Sequence, residues 1–491
     1  MPEQKIEVEE ILKLLSPRTK ENEALIRKAY EFAQKSHEGQ LRYSGEPYFT
    51  HIFAVAKNLA EMKMDATTIA AGLLHDVIED AHVGEEDLEK EFSKDFAFLV
   101  KGVTKLGKLK YRGIERHVES LRKFFVAMAA DIRVIIIKLV DRMHNVKTLE
   151  YVPKEKQKRL AIETIEIYAR LADRLGMGRL RSQLEDYAFP YAYPDEYNKV
   201  KEIKKEKRNV SEKEVEKIHR VLQKELAAEG IIKIKTEFRL KHIYSLYKKL
   251  EKRKMDITKV YDLVALRVIV KTIEDCYRAL GVVHRMWRPL PGRIKDYIAL
   301  PKPNGYRSIH TTIFTGDGGI VEIQIRTEEM HQEAEYGVAS HLFYKEKVKK
   351  GNKESRGIDW VNQLLEWQKN VSHSDEFLER LKTDFFRYRV FVFTPKGDVI
   401  DLPEESSPID FAYAVHSDIG DHIAGARVNG KLVPLDTKLK NGDIVEIETK
   451  KGASPKSKWL DYAKTTMAKR HIKNYLDQNN PFKILLPRKF R

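Results

Sequence analysis

The sequence predicts a multidomain α+β protein: an all-α region, then a mixed α/β region, then a small β-rich module. Apolar residues recur at three- and four-residue spacing through about the first 190 residues, as they do in amphipathic helices. From Ile231 the pattern changes to short runs rich in β-branched residues, separated by helical segments. A hairpin pattern around Pro395-Lys396-Gly397 opens the third region. At 491 residues the chain is too long for one hydrophobic core.

The composition changes along the chain place the domain boundaries. We expect five segments: an all-α domain over 1–195, a mixed α/β domain over 196–345, linker helices over 346–387, the β-rich module over 388–450 and a basic helical tail over 451–491. The second domain is expected to begin with a lysine-rich helix that has no large apolar stripe.

Four segments of the first domain read as helices, and a glycine-rich motif lies between two of them. The helical segments are ALIRKAYEFAQKSH, TTIAAGLLHDVIED, SLRKFFVAMAADIRVIIIKLVDRMHNV and KQKRLAIETIEIYARLADRLG. The stretch from Gly102 to Leu109 spells a phosphate loop, except that Leu109 stands where the motif needs a hydroxyl residue. We interpret that stretch as a loop without a nucleotide function.

Composition excludes several classes of protein. The single cysteine, Cys276, rules out a disulfide within the chain and cysteine-rich zinc modules, so nitrogen and oxygen atoms must hold any metal. The net charge of +16 favours polyanionic partners such as nucleotides or RNA, and is equally compatible with a well-solvated basic surface. The longest apolar run, Val134 to Val140, contains Lys138 and is too short to cross a membrane, and no export signal is visible. We therefore expect no membrane partner and a cytoplasmic location.

One helical segment of the first domain concentrates groups that could do chemistry. His75 and Asp76 precede Glu79 and Asp80 by four residues, so on a helix an imidazole and three carboxylates share one end. A solvated acidic helix end would give the same local pattern, and this alternative stays open for the His-Asp pair alone.

Two distant residues could complete a metal site. His51 and Asp141 each lie near an apolar helical run, and they would make a set of two imidazoles and two carboxylates. Such a set suits manganese, iron or zinc with water in an open position.

The middle region has its own carboxylates. Asp262 precedes the strand ALRVIVK and Glu322 lies in VEIQIRT, both in apolar surroundings where two negative charges fit a divalent cation. Either one alone could also be an ordinary charge on an edge strand. Basic residues at three- and four-residue spacing near FRLKHIYSLYKKL could line a triphosphate, and Tyr306 offers a flat stacking face.

Taken together, these segments resemble the long RelA/SpoT family over nearly the whole chain. The resemblance is carried by HEGQLRYSGEPYFTH, AGLLHDVIEDA, IKLVDRMHNVKTL, FRLKHIYSLYKKL, PLPGRIKDYIALPKPNGYRSIHTT, MHQEAEYGVASH and the segment starting FVFTPKGDVIDL. It implies an all-α HD hydrolase domain, a synthetase domain of nucleotidyltransferase-like fold, and a TGS domain of β-grasp fold.

The resemblance also implies roles for residues of the first domain. The manganese ligands would be His51, His75, Asp76 and Asp141. Glu79 and Asp80 would orient the attacking water, and the nucleotide would be held by Arg42, Ser44, Asn145 and Thr148. Tyr43 stands where many members have a second basic residue.

In the synthetase domain the resemblance implies that Asp262 binds magnesium and that Glu322 activates the 3′-hydroxyl of the acceptor. The ATP phosphates would lie along Arg239, Lys241, His242, Ser245 and Lys249. The acceptor side would comprise Tyr306, stacked on guanine, with Lys302, Asn304, His310 and Gln324. Arg293 and Lys295 match the basic RxKD motif of bifunctional members.

The function implied is therefore bifunctional metabolism of (p)ppGpp in the stringent response. It comprises manganese-dependent removal of the 3′-pyrophosphate, and ATP-dependent transfer of pyrophosphate to GDP or GTP. The TGS domain would contact uncharged tRNA on the ribosome, with His416 nearest the contact. Longer members continue with further modules and an ACT domain, which this sequence lacks.

Two alternatives remain at this stage. A hydrolase-only enzyme is suggested because Phe238, Leu240, Pro303 and Arg307 depart from the usual synthetase residues. A regulator that binds tRNA or the ribosome, with decayed active sites, is suggested by the net charge and the TGS-like module. If both activities are present, we expect them to be switched reciprocally through the linker near 190–230.

Overall fold

A computed structural model describes residues 7–81, 83–107, 131–231, 234–257, 260, 263–302, 304–316, 319–340, 389–440 and 442–479. Two compact units divide the chain, Met1–Lys369 and Asn370–Arg491. The first unit holds the all-α region and the larger sheet. Within the described ranges, no helix combines the length and apolar character needed to cross a membrane.

Helices joined by loops make up the described part of the first region. Its helices are α1 Glu9–Leu12, α2 Lys20–Ser36, α3 Phe49–Glu61, α4 Ala66–Leu73, α5 Val77–Asp80, α6 Glu85–Glu91, α7 Lys94–Gly107, α8 Ile132–Lys147, α9 Lys154–Glu163, α10 Ala169–Arg174 and α11 Gly178–Ala192. A 3₁₀ turn, Leu149–Tyr151, follows α8, and a π-helical turn, Thr164–Tyr168, joins α9 to α10. The helix α4 packs on α2, α3 and α8, which places α3 and α8 beside the end of α4.

Three details of this region differ from the sequence prediction. The segment 67–80 is two helices, because the chain turns at Leu74 to Asp76. The helix α8 begins only at Ile132, since Asp131 is extended and its side chain caps the amide of Arg133. The segment that resembles a phosphate-loop motif was predicted to be a loop, but its residues 102–107 are helical. Gly102 in this segment packs closely against Val134. Residues 108–130 lie outside the described part.

A long helix, α12 Pro194–Ala228, connects the first region to the sheet. The prediction that it has no large apolar stripe is wrong. Its buried residues are Val200, Val215, Ile218, Leu222 and Leu226, and they join the core of the mixed α/β domain. Their three-, four- and seven-residue spacing gives one apolar face. The lysines on the other faces concealed that stripe in the sequence.

The second domain is built on a five-stranded mixed sheet in the order β1-β2-β5-β4-β3. Its elements are β1 Lys235–Leu240, α13 Ile243–Glu251, β2 Val264–Val270, α14 Ile273–Met286, β3 Lys295–Asp296, β4 Ile309–Phe314, β5 Ile320–Thr327 and α15 Glu328–Tyr336. Only β2 and β5 are parallel. The predicted strands are present, with β1 shifted towards Leu240, and the short β3 adds the Lys295-Asp296 pair of the RxKD motif to the sheet edge.

The second unit contains the β-rich module and the basic tail. Its elements are β6 Arg389–Phe393, β7 Val399–Pro403, α16 Pro408–Val415, α17 Ser417–Asp421, β8 Ile423–Val428, β9 Lys431–Val433, β10 Val445–Thr449, α18 Trp459–Tyr462 and α19 Thr466–Gln478. The predicted hairpin is the β6-β7 pair. The part of the tail up to residue 479 contains two helices, α18 and α19, whose Trp459 and Ile472 pack into the core of the module.

The break between α18 and α19 is held by a buried carboxylate, Asp410 of α16. It accepts hydrogen bonds from the amides of Ser407, Lys464 and Thr465 and from the hydroxyls of Ser407 and Thr465, at 2.7–3.1 Å. Asp410 therefore ties the tail to the module.

We predict that Asp410→Ala destabilises this unit by about 3 kcal/mol, because each buried donor left unsatisfied costs about 1–3 kcal/mol. Hydrogen exchange of the full chain, read on peptides from 408–428 and 459–478, measures the effect. Asp436→Ala, an exposed aspartate of the same unit, is the matched control. Equal protection in both variants would contradict the prediction.

Candidate functional site

Two imidazoles and two carboxylates meet inside the first region. The helix α3 supplies His51, the turn after α4 supplies His75 and Asp76, and α8 supplies Asp141. Donor atoms of His51, His75 and Asp141, all buried, lie within 4.8 Å of one another. Nε2 of His75 is 3.0 Å from Oδ2 of Asp76, and Nε2 of His51 is 3.3 Å from Oδ1 of Asp141. The four predicted ligands therefore form one cluster.

The hydrogen bonds and charges around the His75 ring are suited to metal binding. Its Nδ1 lies 2.8 Å from the carbonyl oxygen of Gly72, which can only accept, so Nδ1 carries a proton. Its Nε2 is fully buried and faces two carboxylates, at 3.0 Å from Oδ2 of Asp76 and 3.8 Å from Oδ1 of Asp141. Burial lowers the pKa of His75, but the carboxylates of Asp76 and Asp141 outweigh burial and raise this pKa to about 10. A site that attracts a proton so strongly also attracts a divalent cation.

Both carboxylates are anchored by groups outside the four ligands. The buried Lys138 donates to Oδ2 of Asp141 at 2.7 Å, and the amide of Asn145 donates to Oδ1 at 2.5 Å. The hydroxyl of Tyr48 donates to Oδ2 of Asp76 at 2.8 Å and to Oδ2 of Asp80 at 3.0 Å. Tyr48 was not among the predicted site residues, although it precedes His51 by three residues at the N-cap of α3.

The two residues predicted to orient water lie on the short helix α5. Glu79 is partly buried and Asp80 is exposed. The bond from Tyr48 to both Asp76 and Asp80 places Asp80 beside the cluster.

Three of the four predicted nucleotide-binding residues of this domain are connected by hydrogen bonds. Arg42 donates from Nη2 to Oδ1 of Asn145 at 3.0 Å. The hydroxyl of Thr148 donates to the carbonyl oxygen of Asn145 at 3.3 Å, one turn further along α8. Ser44 lies in the loop after Arg42, where its hydroxyl donates to Glu46 at 3.3 Å.

A third imidazole, His144, borders the cluster and was also missed. Its Nδ1 lies 2.9 Å from Nδ1 of His51 and 3.2 Å from Nη1 of Arg42. Burial, His51 and the Arg42 guanidinium together lower the pKa of His144 to about 3, so the ring is neutral. It follows Asp141 by three residues, so helical spacing could have placed it beside the cluster.

A second group of polar residues lies on the five-stranded sheet. In the strand register, Arg239 of β1, Ala265 of β2, Glu322 of β5 and Thr312 of β4 form one row across the sheet. His310 and Gln324 pair in the neighbouring row on that face. Three of the predicted nucleotide residues therefore surround Glu322.

Hydrogen bonds connect these side chains. Nη1 of Arg239 donates to Oε1 of Gln324 at 3.1 Å, and Nε2 of Gln324 donates to Oε1 of Glu322 at 2.7 Å. Nδ1 of His310 lies 3.4 Å from the same carboxylate oxygen, and its Nε2 lies 2.8 Å from the hydroxyl oxygen of Tyr306. Burial lowers the pKa of His310, against the attraction of Glu322.

Aromatic rings and an ammonium group form the side of this site nearest Tyr306. Nζ of Lys302 lies 4.7 Å from the ring centre of Tyr297 and 5.0 Å from that of Tyr306. Lys302 as a whole residue is exposed, but its ammonium group is enclosed. This enclosure is the main cause that lowers the pKa of Lys302 to about 8. Arg239 and other cations also lower the pKa, whereas Asp173 raises it. Tyr297, just after the RxKD motif, was not predicted.

The remaining predicted synthetase residues follow the strands. Lys241 and His242 directly follow β1, and Ser245 and Lys249 are four residues apart on α13. Arg293 lies just before β3, and Lys295 of β3 pairs with His310 in the register. Asp262 lies outside the described residues.

The two regions of the first unit touch beside the second site. Asp186 of α11 accepts from the amide of Tyr244 at 3.1 Å, and its Oδ2 lies 2.8 Å from Nδ1 of His242. The carbonyl oxygen of Asp173 accepts from the side-chain amide of Asn304 at 3.3 Å. The backbones of Gly176 and Gly337 approach so closely that a Cβ atom on Gly337 would lie 2.1 Å from the Leu175 carbonyl oxygen.

Three family models match the chain in succession. The HD domain matches residues 29–178, the region found in RelA / SpoT proteins matches 238–349, and the TGS domain matches 390–449. Among solved structures, the small alarmone synthetase 2 from Bacillus subtilis covers 37% of this chain and 95% of its own, at 26% identity and a TM-score of 0.23. That TM-score is too low to support an argument about the fold.

Curated relatives match along more than nine tenths of this chain. A GTP pyrophosphokinase of Myxococcus xanthus is 46% identical over 465 residues, 94% of this chain and 61% of that protein. A guanosine-3′,5′-bis(diphosphate) 3′-pyrophosphohydrolase of Aquifex aeolicus is 46% identical over 95% of this chain and 66% of its own length. The bifunctional (p)ppGpp synthase/hydrolase SpoT of Escherichia coli is 45% identical over 92% and 64%.

This chain thus spans roughly three fifths to two thirds of each of these relatives. The three matches occur in the order HD domain, RelA/SpoT region and TGS domain. The chain belongs to the RelA/SpoT family.

Proposed function

We propose that the chain is bifunctional: it hydrolyses the 3′-pyrophosphate of (p)ppGpp and transfers pyrophosphate from ATP to the 3′-hydroxyl of GDP or GTP. The observation that carries this proposal is the presence of two separate polar sites in one unit. One is the buried cluster of His51, His75, Asp76 and Asp141, and the other surrounds Glu322 on the sheet. The names of the relatives, which include both activities, support it.

In the hydrolase site, His51, His75, Asp76 and Asp141 would hold a manganese ion. The ion, when bound, supplies a hydroxide-like nucleophile near neutral pH by lowering the pKa of water. Asp80, held by Tyr48, and the neighbouring Glu79 would position the water for attack on the phosphorus. Arg42, Asn145, Thr148 and Ser44 would hold the nucleotide, although Ser44 must first turn away from Glu46.

In the synthetase site, Glu322 would accept the proton of the 3′-hydroxyl as that oxygen attacks the β-phosphorus of ATP and AMP leaves. Gln324 and His310 hold the carboxylate from two sides. Arg239, Lys241, His242, Ser245 and Lys249 would neutralise the ATP phosphates, and Asp262 would hold magnesium. Tyr306 would stack on guanine, with Tyr297 beside it.

Two metal-dependent assays test the proposal. Labelled guanosine tetraphosphate is incubated with the chain and Mn²⁺, with and without a chelator, and pyrophosphate release is followed. In parallel, ATP and GDP are supplied with Mg²⁺ and the formation of guanosine tetraphosphate is followed. We expect both reactions, each abolished by the chelator. Hydrolysis without synthesis would favour the hydrolase-only alternative suggested by Phe238 and Arg307, and the absence of both would overturn the proposal.

The contacts between the two regions support reciprocal control of the two activities. Two opposed reactions in one chain waste nucleotide if they run together. Asp186 of α11 contacts His242 beside the predicted ATP residues, and Asp173 of α10 contacts Asn304 on the acceptor side. A shift of α10 or α11 would therefore move residues of the synthetase site. We therefore place the switch at residues 173–186 in addition to the linker near 190–230.

For the TGS domain we propose contact with uncharged tRNA on the ribosome. His416 is exposed, and its Nδ1 accepts from the amide of Asp418 at 3.2 Å, which fixes the ring direction at the start of α17. Filter binding of uncharged and aminoacylated tRNA to the full chain and to His416→Ala tests this. Equal binding of both tRNA forms would contradict it.

The pKa of Lys302 predicts how synthesis depends on pH. Below pH 8 the ammonium is charged and attracts the phosphates of GDP, and above pH 8 it is neutral. The KM for GDP should therefore rise as the charged fraction falls, several-fold between about pH 8 and 9.5. In Lys302→Arg the charge persists across this range, so its KM should stay flatter. Parallel pH profiles in the two proteins would rule out this role.

A further inference from the structure

The pair His144 and Arg42 determines which nitrogen of His51 carries a proton. Nδ1 of His144 faces both Nη1 of Arg42 at 3.2 Å and Nδ1 of His51 at 2.9 Å. A guanidinium can only donate hydrogen bonds, so Nδ1 of His144 must be an acceptor without a proton. Facing an acceptor, Nδ1 of His51 must itself be the N–H donor.

In a neutral His51 ring with a proton on Nδ1, the other nitrogen carries no proton and has a free lone pair. That nitrogen, Nε2, lies 3.3 Å from Oδ1 of Asp141 in the centre of the cluster. The Nδ1 of His75 donates in the same way, to the Gly72 carbonyl, so Nε2 is the nitrogen of that ring that faces the cluster. When a divalent ion displaces the proton from Nε2 of His75, both rings present an unprotonated Nε2 to the cluster, as metal ligation requires.

Arg42 also acts through a second arm. Its Nη2 donates to Oδ1 of Asn145 at 3.0 Å, which turns the amide nitrogen of Asn145 towards Oδ1 of Asp141 at 2.5 Å. One guanidinium thus orients two ligands, His51 through His144 and Asp141 through Asn145. The two hydrogen-bond paths share only Arg42. One ends at His51 and the other at Asp141, whose Nε2 and Oδ1 atoms face each other in the cluster.

We propose that His144 is a positioning residue that selects the Nδ1-protonated form of His51, and that Arg42 sets the direction of this hydrogen bond. The inference rests on the proposed hydrolase, whose metal it concerns. Its consequence is that His144 raises the affinity for the divalent ion without touching it. Residues that orient metal ligands in this way typically contribute about 10- to 100-fold in affinity.

The test measures metal binding by the full chain without nucleotide, using electron paramagnetic resonance of free Mn²⁺. His144→Leu removes the acceptor, and we expect the Kd for Mn²⁺ to rise about 10- to 100-fold. His144→Asn can place Oδ1 where Nδ1 was, accepting from both neighbours, and should restore most of the affinity. His284→Leu, in the mixed α/β domain, is the matched control and should leave the Kd unchanged.

The outcomes are distinguishable. Loss of Mn²⁺ binding in the wild-type chain would remove the metal site and this inference together. Wild-type affinity in His144→Leu would overturn the inference while leaving the proposed hydrolase intact. A Kd raised equally in His144→Leu and His144→Asn, with unchanged thermal stability, would also overturn it, since the acceptor would then not be the cause.

Discussion

In His75→Asn, hydrolysis of guanosine tetraphosphate is expected to fall at least about 10³-fold, because the metal contributes several kcal/mol to the transition state. Asparagine is chosen since its Nδ2 can replace Nδ1 of His75 in the bond to the Gly72 carbonyl. The substitution therefore removes the ligand atom Nε2 but keeps the local turn. Pyrophosphate release at saturating Mn²⁺ measures the loss.

The matched control is His284→Asn, the same chemical change in the mixed α/β domain. It should hydrolyse at the wild-type rate. Synthesis should be preserved in His75→Asn within a factor of about three, because no residue of the metal cluster contacts Glu322 or its neighbours in the described residues. Comparable losses of both activities in His75→Asn would indicate unfolding and would argue against a local metal role.

The second large effect is expected for Glu322→Gln, where synthesis should fall by about 10²- to 10⁴-fold, the usual contribution of a general base. Glutamine keeps the shape and can still accept the 2.7 Å bond from Gln324, but it cannot accept a proton from the 3′-hydroxyl. The loss should appear in kcat, with the KM for ATP little changed. Formation of guanosine tetraphosphate from ATP and GDP at several ATP concentrations separates the two constants.

Glu329→Gln, an exposed position on α15, serves as the control and should synthesise normally. Hydrolysis in Glu322→Gln should match the wild type. With His75→Asn this gives a crossed result, in which each variant loses one activity. A rise in the KM for ATP with unchanged kcat would instead assign Glu322 to substrate binding.

Helix and strand positions followed largely from local patterns, with some errors. The apolar face of α12, which includes Val215 and Leu222, was not recognised in the sequence. Many lysines lie between these apolar residues, and the apolar spacing was therefore overlooked. The break between α18 and α19 depends on Asp410, more than 50 residues earlier in the chain. The turn at His75 interrupts a segment whose spacing fits a continuous helix. At the break in the tail a distant contact overrode the local helix preference.

The three-region architecture, the family resemblance and the restriction of any metal site to nitrogen and oxygen ligands could all be predicted from the amino-acid sequence. It also identified His51, His75, Asp76 and Asp141 as a set, because their side-chain chemistry limits what they can bind. Which atoms of these side chains converge, and the contacts of Tyr48 and His144 with them, became visible in the folded chain. The physical reason is distance along the chain: His51 and His144 are 93 residues apart, and their hydrogen bond exists only once α3 packs against α8.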